Sequence, residues 1–147
     1  MKLYAIVEDE KTGICQVGLG TDNEYYESIG MSLMDVEEAF DGQWYLEGYA
    51  PKPPQEFVVK TYEDAVDKHI DAVAQANDFD SILTCTKYTG FDNEFRAHAE
   101  ALLAWNAQCW VVCHSIIDAV FAGEREQPTK EELIAELPAF VWNGGVA

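Results

Sequence analysis

Residues 92–123 read DNEFRAHAEALLAWNAQCWVVCHSIIDAVFAG, the longest stretch of unbroken pattern in the chain. No proline interrupts it, and its only glycine is the last residue, Gly123. Apolar residues recur at helical spacing: Phe95, Ala99, Leu102, Leu103, Trp110, Cys113, Ile117, Val120 and Phe121. Asp92 or Asn93 is placed to cap the start, Glu94 to meet the positive end of the helix dipole, and Gly123 to close the end. A helix of this reach is about 45 Å long at ~1.5 Å per residue. Its apolar stripe must be covered by the rest of the chain, by a partner, or by both.

Working toward the N-terminus, Thr61 opens an amphipathic helix through a Thr-x-x-Asp box to Asp64, ending near Asn77. Its apolar face carries Tyr62, Ala65, Val66, Ile70, Val73 and Ala74; the other carries Glu63, Asp64, Asp67, Lys68 and Asp71. Residues 80–85 add a short helical piece. Before Thr61 stands Pro51-Lys52-Pro53-Pro54, which fits neither a helix interior nor a central strand and acts as a stiff extended connector.

Residues 1–50 are richer in strand signals. Leu3 to Val7 reads as a strand and Ile14 to Leu19 as its return, hinged at Gly13, with Cys15, Val17 and Leu19 on a buried face. A polar turn and a short extended piece follow at residues 21–30. Residues 32–40 read as one or two helical turns capped by Ser32 or Asp35. Asp41-Gly42 is a turn, and Gln43 to Tyr49 a third strand. After the long helix, Thr129-Lys130-Glu131-Glu132 is a capping box for a short helix stopped by Pro138, and Phe140 to Trp142 folds back onto the helical pair.

The fold expected is therefore α+β: a small antiparallel β module over residues 1–50, a proline-rich linker over 51–60, and over 61–147 a helical hairpin with one long helix.

Composition narrows the function classes. The chain has 147 residues, 48% hydrophobic and 12% aromatic, which argues against disorder. Its 27 acidic and 9 basic residues give a net charge of −18, spread over both halves. Such a surface repels nucleic acid and anionic membranes, and neither is expected as a partner. The start is too short and acidic for a signal peptide, and no apolar run approaches the ~20 residues of a membrane span. A cytoplasmic location with reduced cysteines is expected.

Chemistry-bearing residues form no catalytic constellation. Cys109 and Cys113 lie at i and i+4 on one helix face, where they offer two zinc ligands that His69 or Cys85 would have to complete. Small core residues are the favoured alternative, since unpaired cysteine is among the most buried residue types. His98 sits within reach of Glu94 and Glu100, but acid–base work needs a pocket and a partner. No serine occupies a Gly-x-Ser-x-Gly elbow, and Gly18-x-Gly20 lacks the remainder of a dinucleotide motif. Neither an enzyme nor a cofactor is expected.

The aromatics are the more informative set. Trp105 and Trp110 lie about 140° apart around an ideal helix, so one narrow seam does not bury both. One is expected to face the paired helix and the other the terminal segment. With Phe121, Phe140 and Trp142, they are also the candidate partner-binding residues, because interfaces favour large aromatics.

Residues 60–143 resemble a helical module that recurs at the ends of small proteins from tailed phages and prophages. The likeness is carried by Ile70-Asp71-Ala72-Val73-Ala74, Phe79-Asp80-Ser81-Ile82, Tyr88, and Phe95 with Glu100-Ala101. It continues through Trp105, Trp110, Gly123, Pro128-Thr129, Glu132-Leu133, Leu137-Pro138 and Trp142. More loosely, Lys2 to Val7, Asp41-Gly42-x-Trp44-Tyr45-Leu46 and Gly48-Tyr49-Ala50-Pro51 are similar to N-terminal pieces of tail-fibre assembly proteins. The family often has Trp-Arg-Asp where this chain has Trp105-Asn106-Ala107. The resemblance implies a tail or tail-fibre assembly chaperone, working in the host cytoplasm by protein–protein binding, with a tail or fibre polypeptide as partner. A virion subunit at the tail tip or baseplate and an acidic protein that binds a host enzyme are the alternatives. Self-association through the long helix is a further expectation.

Overall fold

The computed structural model describes residues 1–143; residues 144–147, the end of the expected helical module, lie outside the described residues. The fold is α+β, and the chain divides into two compact units, the second beginning at Gln55.

The first unit is built on four antiparallel strands, β1 (Lys2–Asp9), β2 (Ile14–Gly18), β3 (Ser32–Glu38) and β4 (Trp44–Leu46), closed into a small barrel in the order β1-β2-β4-β3. Ala5, Cys15 and Val36 fill its centre, with Leu3, Val7, Val17, Met34, Trp44 and Leu46 packed around them. The β1–β2 turn requires glycine at position 13: φ is +75°, and an added Cβ would stand 2.5 Å from Cβ of Tyr49. Leu19, expected on the buried face, lies past the end of β2 and is exposed.

Two segments of this unit take another secondary structure than expected, and β4 covers only Trp44–Leu46 of the expected Gln43–Tyr49. Residues 32–38 are strand, not helix. Leu33, Met34, Glu37 and Glu38 are good helix formers, but the segment is hydrogen-bonded on both sides, Tyr4 opposite Leu33 and Val36 opposite Leu46. Pairing on two edges outweighs a propensity of tenths of a kcal/mol per residue (about 0–0.7). Conversely, the supposed turn and extended piece at 21–30 contains a helix, α1 (Asn23–Ser28), whose N-cap Asp22 accepts a hydrogen bond from Tyr25 N at 3.0 Å.

In the second unit, α2 (Gln55–Ala76) begins six residues before Thr61, directly after Pro54. The connector thus shortens to residues 51–54, and the Thr61 box is not formed: its hydroxyl donates to Phe57 O at 2.9 Å, as an interior helical threonine does. Val58, Tyr62, Val66, Ile70 and Ala74 recur every fourth residue as the buried stripe. Asp78 adopts a positive φ, and Phe79 N returns to Ala74 O at 3.0 Å, closing the helix in the manner of a Schellman cap.

A short 3-10 helix (Leu83–Tyr88) leads to α3 (Arg96–Phe121), about 39 Å long at ~1.5 Å per residue. It starts later than expected because Asn93 is employed otherwise: its side chain accepts from Phe95 N and donates to Tyr88 O and Phe91 O. Asp92 instead reaches Arg96, which Glu100 also holds. The buried stripe runs Ala99, Leu102, Trp105, Cys109, Cys113, Ile116 and Ile117. After Gly123, with φ +75°, the chain turns into α4 (Lys130–Glu136), where Thr129 Oγ1 accepts from Glu132 N at 3.1 Å. Leu133 and Leu137 carry α4 onto the core shared by α2 and α3. Among the described residues no helix is long and apolar enough to cross a membrane.

Candidate protein-binding surfaces

Of the five aromatic residues singled out from the sequence, three join in an internal latch. Trp105 is 5% exposed, and its indole Nε1 donates to Pro138 O at 2.7 Å. Phe140 meets the Trp105 ring edge-on at 5.6 Å. Trp142 lies flat on His98, centroids 4.5 Å apart and planes within 9°. Trp105 is thus a core residue, its ring and its one donor both used within the chain. Phe140 and Trp142 are half-buried and spend their inner faces on the same latch.

His98 serves this latch as well. Its Nε2 lies 3.0 Å from Asn77 Oδ1, and Phe79 stands edge-on at 5.4 Å. His98 is thus satisfied by Asn77, and Glu100, one of the two carboxylates within its reach, is held by Arg96. Cys109 and Cys113 are fully buried in the α2–α3–α4 core, and burial pushes both thiols up to about 11. That favours the neutral thiol over the thiolate a metal would need. Among the described residues, no group of three or more His, Cys, Asp or Glu side chains is placed to hold a metal ion.

Trp110 and Phe121 remain at the surface. Trp110 is half-buried, its Nε1 donating to Asn106 Oδ1 at 3.2 Å and its ring 5.8 Å from His114. Asn106 therefore orients this tryptophan. Phe121 is 37% exposed. Trp110 borders a stretch of α3 unlike the rest of the surface. Residues 101–117 contain no Asp, Glu, Lys or Arg, although Ala104, Ala107, Gln108, Val111, His114 and Ser115 are exposed there. Val111 is 70% exposed. A shallow depression of about 630 Å³ adjoins this strip, lined by Val111, His114, Ser115, Ala119 and Ala122 together with the charged Asp118 and Glu124. In a chain that is 24% charged, an uncharged face some 25 Å long (seventeen residues at ~1.5 Å) is the exception that needs a reason.

A second surface, sharing no residue with the first, lies between α2 and α4. It is a groove of about 680 Å³ whose apolar lining includes Phe57, Ala65 and Ile134. Three of the chain's seven lysines, Lys60, Lys68 and Lys130, line it together with Asp64 and Glu131.

Comparison of the chain with family models, with curated proteins and with solved structures returned no match.

Proposed function

We propose that this protein is a phage tail or tail-fibre assembly protein that acts by binding a tail polypeptide, in the manner of a chaperone. The phage assignment rests on the motif resemblance in residues 60–143. The mode of action rests on one observation, the uncharged exposed strip of α3 between Ala101 and Ile117. An uncharged helix face that no described segment of its own unit covers is suited to holding a weakly polar stretch of another chain. The carboxylate coat over the rest of the surface keeps the free protein in solution. Trp110, held by Asn106 at the border of the strip, supplies an aromatic anchor. No catalytic step is part of this reading.

Co-expression with a tail-fibre polypeptide tests it. The expected result is a higher yield of soluble, trimeric fibre. Unchanged fibre solubility and trimer yield would remove the chaperone reading.

A further inference from the structure

The groove between α2 and α4 carries a second inference, which goes beyond the binding proposed for α3 and stands independently of it. We infer that this groove docks an acidic amphipathic helix of another protein. Two features of the groove, its apolar lining and its cations, specify the occupant together.

Ala65 on α2 and Ile134 on α4 are half-buried and contribute apolar lining, room for the non-polar face of a helix. Lys60 and Lys68 stand on the same side of α2, eight residues or about 12 Å apart (~1.5 Å per residue), and Lys130 faces them from α4. Asp64 is engaged by Lys60 at 3.9 Å. Lys68 and Lys130 make no ion pair among the described residues. Two unpaired ammonium groups beside one apolar groove are out of character for a chain of net charge −18.

Charge complementarity therefore selects the ligand. Carboxylates flanking the apolar face of such a helix meet Lys68 on one wall and Lys130 on the other while its apolar residues enter the groove. Glu131 on the α4 side disfavours a ligand acidic all round its axis and fixes the need for an apolar face. A second copy of this chain is the poorer occupant, because two bodies of charge −18 repel one another. Paired charges at such a rim contribute to specificity and association rate more than to raw affinity.

Two 18-residue helix-forming peptides test the inference. They share a leucine face and differ only in whether glutamates or glutamines flank it. Each is titrated into the full-length 15N-labelled protein at 0.15 M salt. The glutamate peptide is expected to bind at least tenfold tighter, with amide shifts concentrated at Ala65, Lys68 and Ile134. The K68Q/K130Q double variant should weaken it at least fivefold, while V111E leaves it unchanged. Equal binding of the two peptides, shifts on α3 instead, or an unaffected double variant would each overturn the inference. So would a dimer, seen by light scattering, that K68Q/K130Q dissolves, since the occupant would then be a second copy.

Discussion

Trp105 Nε1 and Pro138 O are 2.7 Å apart, which joins the middle of α3 to the residue that ends α4, thirty-three positions later in the chain. The bond gives the buried indole its partner and sets Phe140 and Trp142 over His98. Trp105→Phe keeps most of the ring but leaves the Pro138 carbonyl without this donor. It should cost about 1–2 kcal/mol in urea unfolding. Trp105→Ala also opens a cavity and should cost about 3–5 kcal/mol. Unchanged stability of Trp105→Phe would show that the hydrogen bond contributes nothing.

Trp110 should behave differently. Because it is half-buried, Trp110→Ala is expected to cost only about 1–2 kcal/mol, less than the fully buried case. It should weaken partner capture more than it weakens the fold. A loss as large as that of Trp105→Ala would mark Trp110 as core and withdraw it from the binding surface.

The two core thiols make stability depend on pH at the alkaline end. Burial raises Cys109 and Cys113 to about 11 from the ordinary 9.0, so the folded state holds its thiol protons more tightly than the unfolded chain. Their contribution is complete below pH 9 and is lost as pH rises from 9 through 11, up to about 2–3 kcal/mol for each thiol. The C109A/C113A protein should show a visibly shallower fall in unfolding free energy across that window. An identical slope in both proteins would contradict the assignment. Native protein at pH 8 should likewise resist iodoacetamide at both positions until it is unfolded.

In the first unit, Gly13→Ala combines a left-handed φ of +75° with a Cβ that would meet Tyr49 at 2.5 Å. The left-handed backbone alone costs about 1–2 kcal/mol, and displacement of Tyr49 adds to it. Gly42→Ala, with φ +79° and open space around it, carries the backbone cost without the clash. Gly13→Ala should therefore destabilise more than Gly42→Ala; the reverse order would refute the packing at the β1–β2 turn.

How much of this was legible beforehand follows from where each signal resides. The helical hairpin shows in the sequence because Val66, Ile70 and Ala74, and likewise Leu102, Cys109 and Cys113, repeat at a local period that needs no knowledge of the partner. Strand β3 is hidden because Leu33, Met34 and Glu37 suit a helix, and only pairing with β1 and β4, set by distant residues, decides otherwise. Helix α2 begins early because Pro54 does not hinder a helix that starts after it, whereas Val58 and Val59 resemble a strand. The aromatic residues were visible, but a tryptophan reads alike in a core and in an interface until its indole partner, Pro138 O or Asn106 Oδ1, is known. The α3 strip was legible as a run without charge, yet it becomes a surface only once Val111 is seen to lie uncovered. The lysine groove was out of reach, since Lys68 and Lys130 are brought together by the docking of α4 on α2.

The central claim is that the uncharged face of α3 captures a tail polypeptide. It is tested most directly by pull-down of the co-expressed fibre polypeptide with the native protein and with an A104E/V111E variant. Both positions are exposed, so the variant should keep its unfolding free energy within about 0.5 kcal/mol. The account predicts that the native protein retains the fibre and the folded variant loses at least nine-tenths of it. Undiminished capture by the folded variant would contradict it.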